Sequence, residues 1–202
     1  MKKIFVTGTD TEVGKTYVST HLLKNYASQG LSTLGLKPVA SGGNGDALLL
    51  QEASSIKLTL TQTTAYTFEE PIAPHIAARE CQQEITLSTL NVHLQSALSS
   101  SPDVCLIEGF GGWYAPLNEK QTMADFVIAN QLPVVLVVGM RLGCLNHALL
   151  TAQAIQRDGL TLIGWVANCI SPEMAVLNEN IATLQQRLSA PCLDIMPFYR
   201  SV

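Results

Sequence analysis

Short apolar runs alternate along the whole chain with stretches whose apolar residues recur every three to four positions. Lys3–Thr7, Leu31–Val39, Val104–Ile107, Val134–Val138 and Leu162–Val166 read as strands, with a last one over Cys192–Met196. Helical spacing covers Gly14–Ala27, ending near Gly30, then Asp46–Ala53, Leu87–Leu98, Leu145–Arg157 and Glu173–Leu188. Asp46 stands where a helix cap is expected. Pro71 and Pro74 delay any helix within Glu70–Glu80 until near His75. Ser41-Gly42-Gly43-Asn44-Gly45 reads as a flexible loop. Strands separated by helices predict βαβ crossovers and an α/β fold, with one doubly wound, mostly parallel sheet covered on both faces. With no internal repeat or linker in the pattern, residues 1–202 are expected to form one domain.

Composition narrows the function classes. A chain of 202 residues with 47% hydrophobic and 14% charged residues can bury about 70% of its unfolded surface, so a core needs no staples. A net charge of −4 offers no basic face to nucleic acid. Cys81, Cys105, Cys144, Cys169 and Cys192 are odd in number and have no paired spacing. Neither a disulfide framework nor a CxxC zinc site is expected, which suits a reducing cytoplasm. The apolar run after Met1-Lys2-Lys3 ends at Thr7-Gly8-Thr9-Asp10, too soon for an export signal. Leu132–Met140 is the most apolar stretch but too short to cross a bilayer, so it reads as a buried parallel strand, and no membrane partner is expected.

Chemistry concentrates first at Gly8-Thr9-Asp10-Thr11-Glu12-Val13-Gly14-Lys15-Thr16, between a predicted strand and a predicted helix. That context suits a phosphate loop of the P-loop NTPase type, in which backbone amides and a positive helix end surround an anion. Lys15 can reach outer phosphates and the Thr16 hydroxyl can hold Mg2+. Five residues separate the two glycines where the general pattern has four. Glu12 is out of place among phosphate-cradling amides. It is either a solvated loop acid or an acid facing an amine-bearing second substrate. Glu108, followed by Gly109-Phe110-Gly111-Gly112, ends a buried strand, where open α/β sheets bind ligands. Asp46 is a second candidate carboxylate, against the ordinary reading of a helix cap. Lys37 ends a strand and can neutralise charge on a transferred phosphoryl group, though solvent-facing lysines are common there.

These residues resemble the dethiobiotin synthetases, ligases of the biotin pathway. The resemblance runs through Thr7–Thr16, Lys37-Pro38-Val39-Ala40-Ser41-Gly42, Glu108-Gly109-Phe110-Gly111-Gly112-Trp113, Leu142–His147 and Gly164-Trp165-Val166-Ala167-Asn168. The motifs fall in family order over nearly the whole chain, and the five-residue glycine spacing is the one this family uses. The resemblance implies ATP- and Mg2+-dependent carboxylation and ring closure of 7,8-diaminononanoate with CO2, giving dethiobiotin, ADP and phosphate. The implied intermediates are a carbamate and a carbamic–phosphoric anhydride. Thr16, Asp46 and Glu108 match the magnesium set, and Lys15 and Lys37 the pair that stabilises charge on carbamate and γ-phosphate. Thr11, Glu12 and Ser41 match contacts to the diamine or carbamate, and Thr11 and Glu12 join the two lysines as catalytic candidates. Gly143, Cys144, Leu145 and Asn146 match the segment that receives the substrate carboxylate at a two-fold interface, so a homodimer is implied. The nucleotide set comprises Gly8, Glu12, Val13, Gly14, Lys15, Thr16, Tyr17, Asp46, Glu108, Gly109, Phe110 and Gly111. Asn168 and Cys169, with Pro197, Phe198 and Tyr199, complete it around adenine. Phe110 stands where the family usually has a small residue, and the loop from Ser41 to Asp46 is short. Many members also continue past the position of Val202 with a segment that closes over adenine, which leaves base selectivity open.

A regulatory or partitioning ATPase of the related phosphate-loop class is the alternative. Such proteins typically carry a second lysine five residues before the catalytic one, where this chain has Asp10. A cobalamin-pathway amide ligase would need a further glutaminase domain, and a non-catalytic nucleotide module is compatible with an intact Lys15, Thr16 and Glu108 but is not needed to explain them. His21 and His93 are expected to pack or face solvent, and His147 to cap a helix. His75 belongs to a segment that can line an aliphatic substrate chain. The cysteines are expected to pack in the core, and Trp113 and Trp165 to be structural.

Overall fold

In the computed structural model, residues 1–198 are described. Six strands form one all-parallel sheet: β1 (Lys2–Gly8), β2 (Thr33–Leu36), β5 (Val104–Glu108), β6 (Val134–Met140), β7 (Leu162–Cys169) and β8 (Cys192–Met196). Their spatial order is β2-β5-β1-β6-β7-β8. The chain therefore winds from β1 towards β2 and β5, then crosses to β6 on the other side of β1. That reversal opens a crevice at the carboxyl ends of the strands, where doubly wound sheets bind ligands.

Burial on both faces explains the sequence of the strands. All seven residues of β6, Val-Val-Leu-Val-Val-Gly-Met, are buried, as expected of a parallel strand with helices above and below. The two-residue period sorts β1 between the faces. Ile4 and Val6 pack with Val18 and Leu23 of α1 (Lys15–Ser28) and Leu50 of α2 (Gly45–Ala53). Phe5 points the other way, into a larger core shared with α4 (Pro74–Glu80), α5 (Leu87–Leu98), α6 (Met123–Ala129), α7 (Cys144–Arg157) and α8 (Leu177–Arg187). Thr86 caps α5 by accepting from the Thr89 amide at 3.2 Å, and Thr122 with Asp125 forms a capping box on α6. Among the described residues no helix is long and apolar enough to cross a membrane.

Cys81 is exposed rather than packed in the core as expected, and three expectations about the elements need correction. The run Leu31–Val39 is not one strand. The chain leaves the main sheet after Leu36, and Val39–Ser41 (β3) pairs in parallel with β4 (Tyr66–Phe68) in a separate two-stranded sheet. Pro38 has no amide to give a ladder, and the Lys37 amide turns to the carbonyl of Thr63 at 3.0 Å. Asp46 does not cap α2, because Asn44 holds the cap position and Asp46 lies in the first turn. The last helix starts at Leu177 rather than Glu173, after Val176 with φ of 51°, a conformation a continuing helix does not allow. The short α3 (Leu60–Thr63), β4 and α6 have too few residues to show a period and escaped the sequence reading.

Candidate active site

β1 ends at Gly8 and α1 begins at Lys15, so the intervening loop must turn sharply over the sheet. Two glycines make the turn possible. A Cβ on Gly8 would lie 2.6 Å from Val13 Cγ2, and one on Gly14 would lie 2.1 Å from Asn168 Nδ2. Gly14 also has φ of 83°, which favours glycine. Asn168, buried near the end of β7, donates from Nδ2 to the Val13 carbonyl at 2.8 Å and so buttresses the loop from below. Glu12 also adopts a left-handed conformation, at φ 58°, and its exposed side chain lines the cleft above the loop.

Four polar side chains meet where β1, β2 and β5 end. Glu108, wholly buried, closes β5, and its Oε1 accepts from Thr16 Oγ1 at 2.8 Å and Lys37 Nζ at 2.7 Å. Lys37 Nζ also lies 2.9 Å from Asp46 Oδ2 and donates to the Gly109 carbonyl at 3.1 Å. All three of its N–H donors are thereby used. Burial works against the Lys37 charge, but Glu108 and Asp46 outweigh it and raise its pKa above the ordinary value. Asp46 is only half-buried. Its burial penalty is overcome by Lys37, with help from the Thr16 hydroxyl, and its pKa is lowered. Among the described residues no carboxylate contacts Lys15. Its Nζ donates to the carbonyls of Asp10 at 2.9 Å and Gly111 at 2.7 Å. Burial first, then repulsion from Lys37, pushes its pKa down to about 8.

A cleft of about 750 Å3 opens over this cluster. Thr11, Glu12, Gly14, Lys15, Thr16, Lys37, Ser41, Asp46, Phe110 and Gly111 all line it, so ten of the sequence-derived candidates converge. Its opposite wall, Pro71-Ile72-Ala73-Pro74 with Ala115 and Pro116, is apolar. The Ser41 hydroxyl lies within hydrogen-bond reach of the Glu70 and Ile72 carbonyls and ties that wall to the glycine loop. The expected segment lines the cleft through Pro71–Pro74, whereas His75, next in the chain, lines a separate cavity of about 400 Å3.

Other candidates lie outside the cleft lining. Gly8 and Val13 form the floor of the loop, and Glu108 and Gly109 lie buried beneath the cleft. Tyr17 is exposed on α1. Cys169 is half-buried at the end of β7, and burial raises its thiol pKa. Pro197 and Phe198 follow β8, while Tyr199 lies outside the described residues. Gly143, Cys144, Leu145 and Asn146 do not line the cleft; they stand at the start of α7, after Arg141, which pairs with Asp10 of the loop between β1 and α1. Two groups went unread in the sequence. Arg141 carries no motif, and Asp158, at the C-terminal cap of α7, accepts from Trp113 Nε1 at 2.7 Å and the Tyr114 hydroxyl at 3.2 Å. Neither has a local signal, because each acts on a segment distant in sequence.

The residues fit a hard divalent cation. Glu108 Oε2 is buried with no hydrogen-bond partner among the described residues. Asp46 and the Thr16 hydroxyl add oxygen donors beside it. No cluster of three or more His, Cys, Asp and Glu is gathered among the described residues. Two carboxylates and a hydroxyl suit Mg2+, which usually completes its shell with nucleotide phosphates and water.

Known proteins resemble the chain over almost its whole length. A family model described as "AAA domain" matches residues 2–202. A protein of Cellvibrio japonicus (strain Ueda107) named ATP-dependent dethiobiotin synthetase BioD is 50% identical, over 97% of this chain and 89% of its own. Proteins of the same name from Pseudomonas paraeruginosa (49% identical, 98% and 90% covered) and Yersinia pestis bv. Antiqua (48%, 100% and 87%) are similar too. Among solved structures, MinD of Pyrococcus horikoshii complexed with Mg-ADP aligns with a TM-score of 0.59 at 16% identity, over 97% of this chain and 81% of that one. FtsY of Thermotoga maritima aligns at 0.55 and 15% identity, and the chain spans 98% of itself but 62% of FtsY. At such identities these two bear on the fold alone.

Proposed function

The chain belongs to the ATP-dependent dethiobiotin synthetase family, and from that footing we propose that its cleft carboxylates 7,8-diaminononanoate and closes the ureido ring at the expense of ATP. It is an ATP-dependent ligase that forms C–N bonds in biotin biosynthesis. The observation that carries the detailed reading is the buried Lys37, held among Glu108, Asp46 and the Gly109 carbonyl beside the phosphate loop. A cation there is placed for charge that develops during phosphoryl transfer.

In this reading one substrate amine captures CO2 as a carbamate. A carbamate oxygen attacks the γ-phosphorus and ADP leaves, giving a carbamic–phosphoric anhydride. The second amine then attacks the carbonyl carbon, its proton is lost, and phosphate is expelled as the five-membered ring closes. Thr16, Asp46 and Glu108 would hold Mg2+, which when bound supplies charge neutralisation for the phosphates. Lys15 exchanges its two backbone carbonyls for phosphate oxygens, which restores the charge that burial disfavours. Lys37 stabilises the carbamate and the transferred group. Glu12, exposed at the mouth, faces the amines, and Thr11 and Ser41 flank them. The apolar wall Pro71–Pro74 suits the aliphatic chain of the diamine.

The reading includes a homodimer. The four residues Gly143–Asn146 do not line their own cleft, and Leu142, just before the helix, is fully exposed and Leu150 within it 57% exposed. The Cys144 amide is committed to the Arg141 carbonyl at 3.0 Å. The amides of Leu145 and Asn146 belong to the first turn, where a helix has no internal acceptor for them, so they suit a carboxylate from the neighbouring copy. The Asn168 amide nitrogen is committed to Val13, so its side-chain oxygen would meet the base edge, with Cys169 next in the chain and Pro197 following Met196, its β8 partner.

The test is ADP release with Mg-ATP and bicarbonate, with and without 7,8-diaminononanoate, with the product followed by mass. Diamine-dependent turnover and the ureido product are expected. Equal ATP hydrolysis without diamine would defeat the proposal and favour the regulatory ATPase.

A further inference from the structure

The turn Gly109-Phe110-Gly111-Gly112 supplies two of the carbonyls that seat the lysines: Gly109 for Lys37 and Gly111 for Lys15. With three glycines in four residues, and Gly111 at φ 54°, this backbone has little stiffness of its own. At its entry the Gly109 amide donates to the Val6 carbonyl at 3.0 Å. At its exit stands Trp113, 4% exposed, whose ring meets Phe5 edge-on at 6.3 Å. Phe5 in turn fills the space under Gly109, where a Cβ would lie 2.7 Å from its ring. What fixes Trp113 is Asp158, which accepts from the indole Nε1 at 2.7 Å and from the Tyr114 hydroxyl at 3.2 Å. Asp158 makes no salt bridge among the described residues. Both of its oxygens are used on two neutral donors from adjacent residues, and such charge-assisted bonds are stronger and more directional than neutral ones.

We propose that Asp158 is a positioning residue: by holding Trp113 it fixes the glycine turn whose carbonyls set the positions of Lys15 and Lys37. The proposal rests on the ligase reading for its substrates but not for its geometry. Asp158 also terminates α7, and Arg141, three residues before the start of α7, pairs with Asp10 of the phosphate loop. The stretch from Arg141 to Asp158 thus touches both loops over the cleft. Displacing a seated group by a fraction of an ångström affects the transition state more than ground-state nucleotide binding.

The variants Asp158→Ala, Trp113→Phe, their double and Asp158→Asn are compared with wild type by ADP release, giving kcat and the KM for ATP, alongside thermal melting. Trp113→Phe keeps the ring on Phe5 while removing the N–H, so it carries the test even if Asp158→Ala folds poorly. Asp158→Ala and Trp113→Phe are each expected to lower kcat roughly tenfold with the KM for ATP within about twofold. The double should be no slower than the slower single, and Asp158→Asn, which keeps an acceptor for Trp113, should recover most of the rate. Unchanged kcat, multiplying losses in the double, or melting shifts without a rate effect would overturn the proposal. If wild type turns ATP over without diamine dependence, the ligase reading fails by itself, and the same kcat and KM split is read on that hydrolysis.

Discussion

Exchanging Lys37 for methionine keeps the length of the stem and removes the ammonium that neutralises two carboxylates. Their fates differ. Asp46 has a side chain 48% exposed and can be rehydrated, whereas Glu108 is wholly buried and, among the described residues, keeps only the Thr16 hydroxyl at 2.8 Å. Stranding one buried carboxylate costs about 3–5 kcal/mol, and local relaxation at the cleft favours the lower figure. A domain of this size has about 5–15 kcal/mol to lose, so the variant folds but melts roughly 6–12 °C lower. The rate loss is separate in origin. Without the cation facing the transferred phosphoryl group, kcat for ring closure should fall by at least about 10²–10³. Denaturant melts and diamine-dependent ADP release give the two quantities. A double variant Lys37→Met with Glu108→Gln separates them, since a buried pair replaced on both sides is often neutral in stability. It should regain most of the lost stability and none of the turnover. Near-normal turnover in the single variant, or melting within a degree of wild type, would refute the reasoning at its first step.

Further outcomes are expected. Burial lowers the Lys15 pKa to about 8, below that of the unfolded chain. Between about pH 8 and 10 the unfolded state therefore binds more protons, and the native state gains stability as pH rises. Urea midpoints of wild type should rise relative to Lys15→Met across that window, and parallel curves would contradict the assignment. Because phosphate binding needs the charged form, ATP affinity should fall above pH 8, with proton uptake visible by titration calorimetry in buffers of different ionisation enthalpy. Gly14→Ala should abolish ADP binding, because its Cβ would lie 2.1 Å from Asn168 Nδ2. Gly43→Ala, at a similar φ of 85° but in open space, should cost only about 1 kcal/mol, and equal binding defects in the two variants would remove the steric argument. Glu108→Gln should weaken the Mg2+ dependence of ADP binding while leaving metal-free ADP binding within about threefold. Equal Mg2+ response in variant and wild type would take Glu108 out of the cation site.

The strands and longer helices were legible because their patterns are local. All seven residues of β6 are buried, so its sequence is uniformly apolar, and α5 spans Leu87–Leu98 as its spacing foretells. The phosphate loop was legible for the same reason, being one contiguous segment from Gly8 to Thr16. Errors fell where local pattern and tertiary partner disagree. Leu31–Val39 looks continuously extended, and only the bond from the Lys37 amide to the Thr63 carbonyl and the missing amide of Pro38 divide it between two sheets. Asp46 has the chemistry of a cap, but Lys37 draws its carboxylate into the crevice instead.

The sequence by itself determined the βα alternation, the anion-binding loop and the residue types available for phosphate, cation and amine. Each depends on spacing within a dozen residues, the range over which backbone geometry fixes neighbours. Only the tertiary structure decided that Thr16, Lys37, Asp46 and Glu108 share one cluster, since the order β2-β5-β1 brings three distant strand ends side by side. It alone decided that Asn168 supports the loop, and that Asp158 reaches across 45 residues to hold Trp113. Such contacts depend on the crossing of elements and leave no periodic trace in the chain.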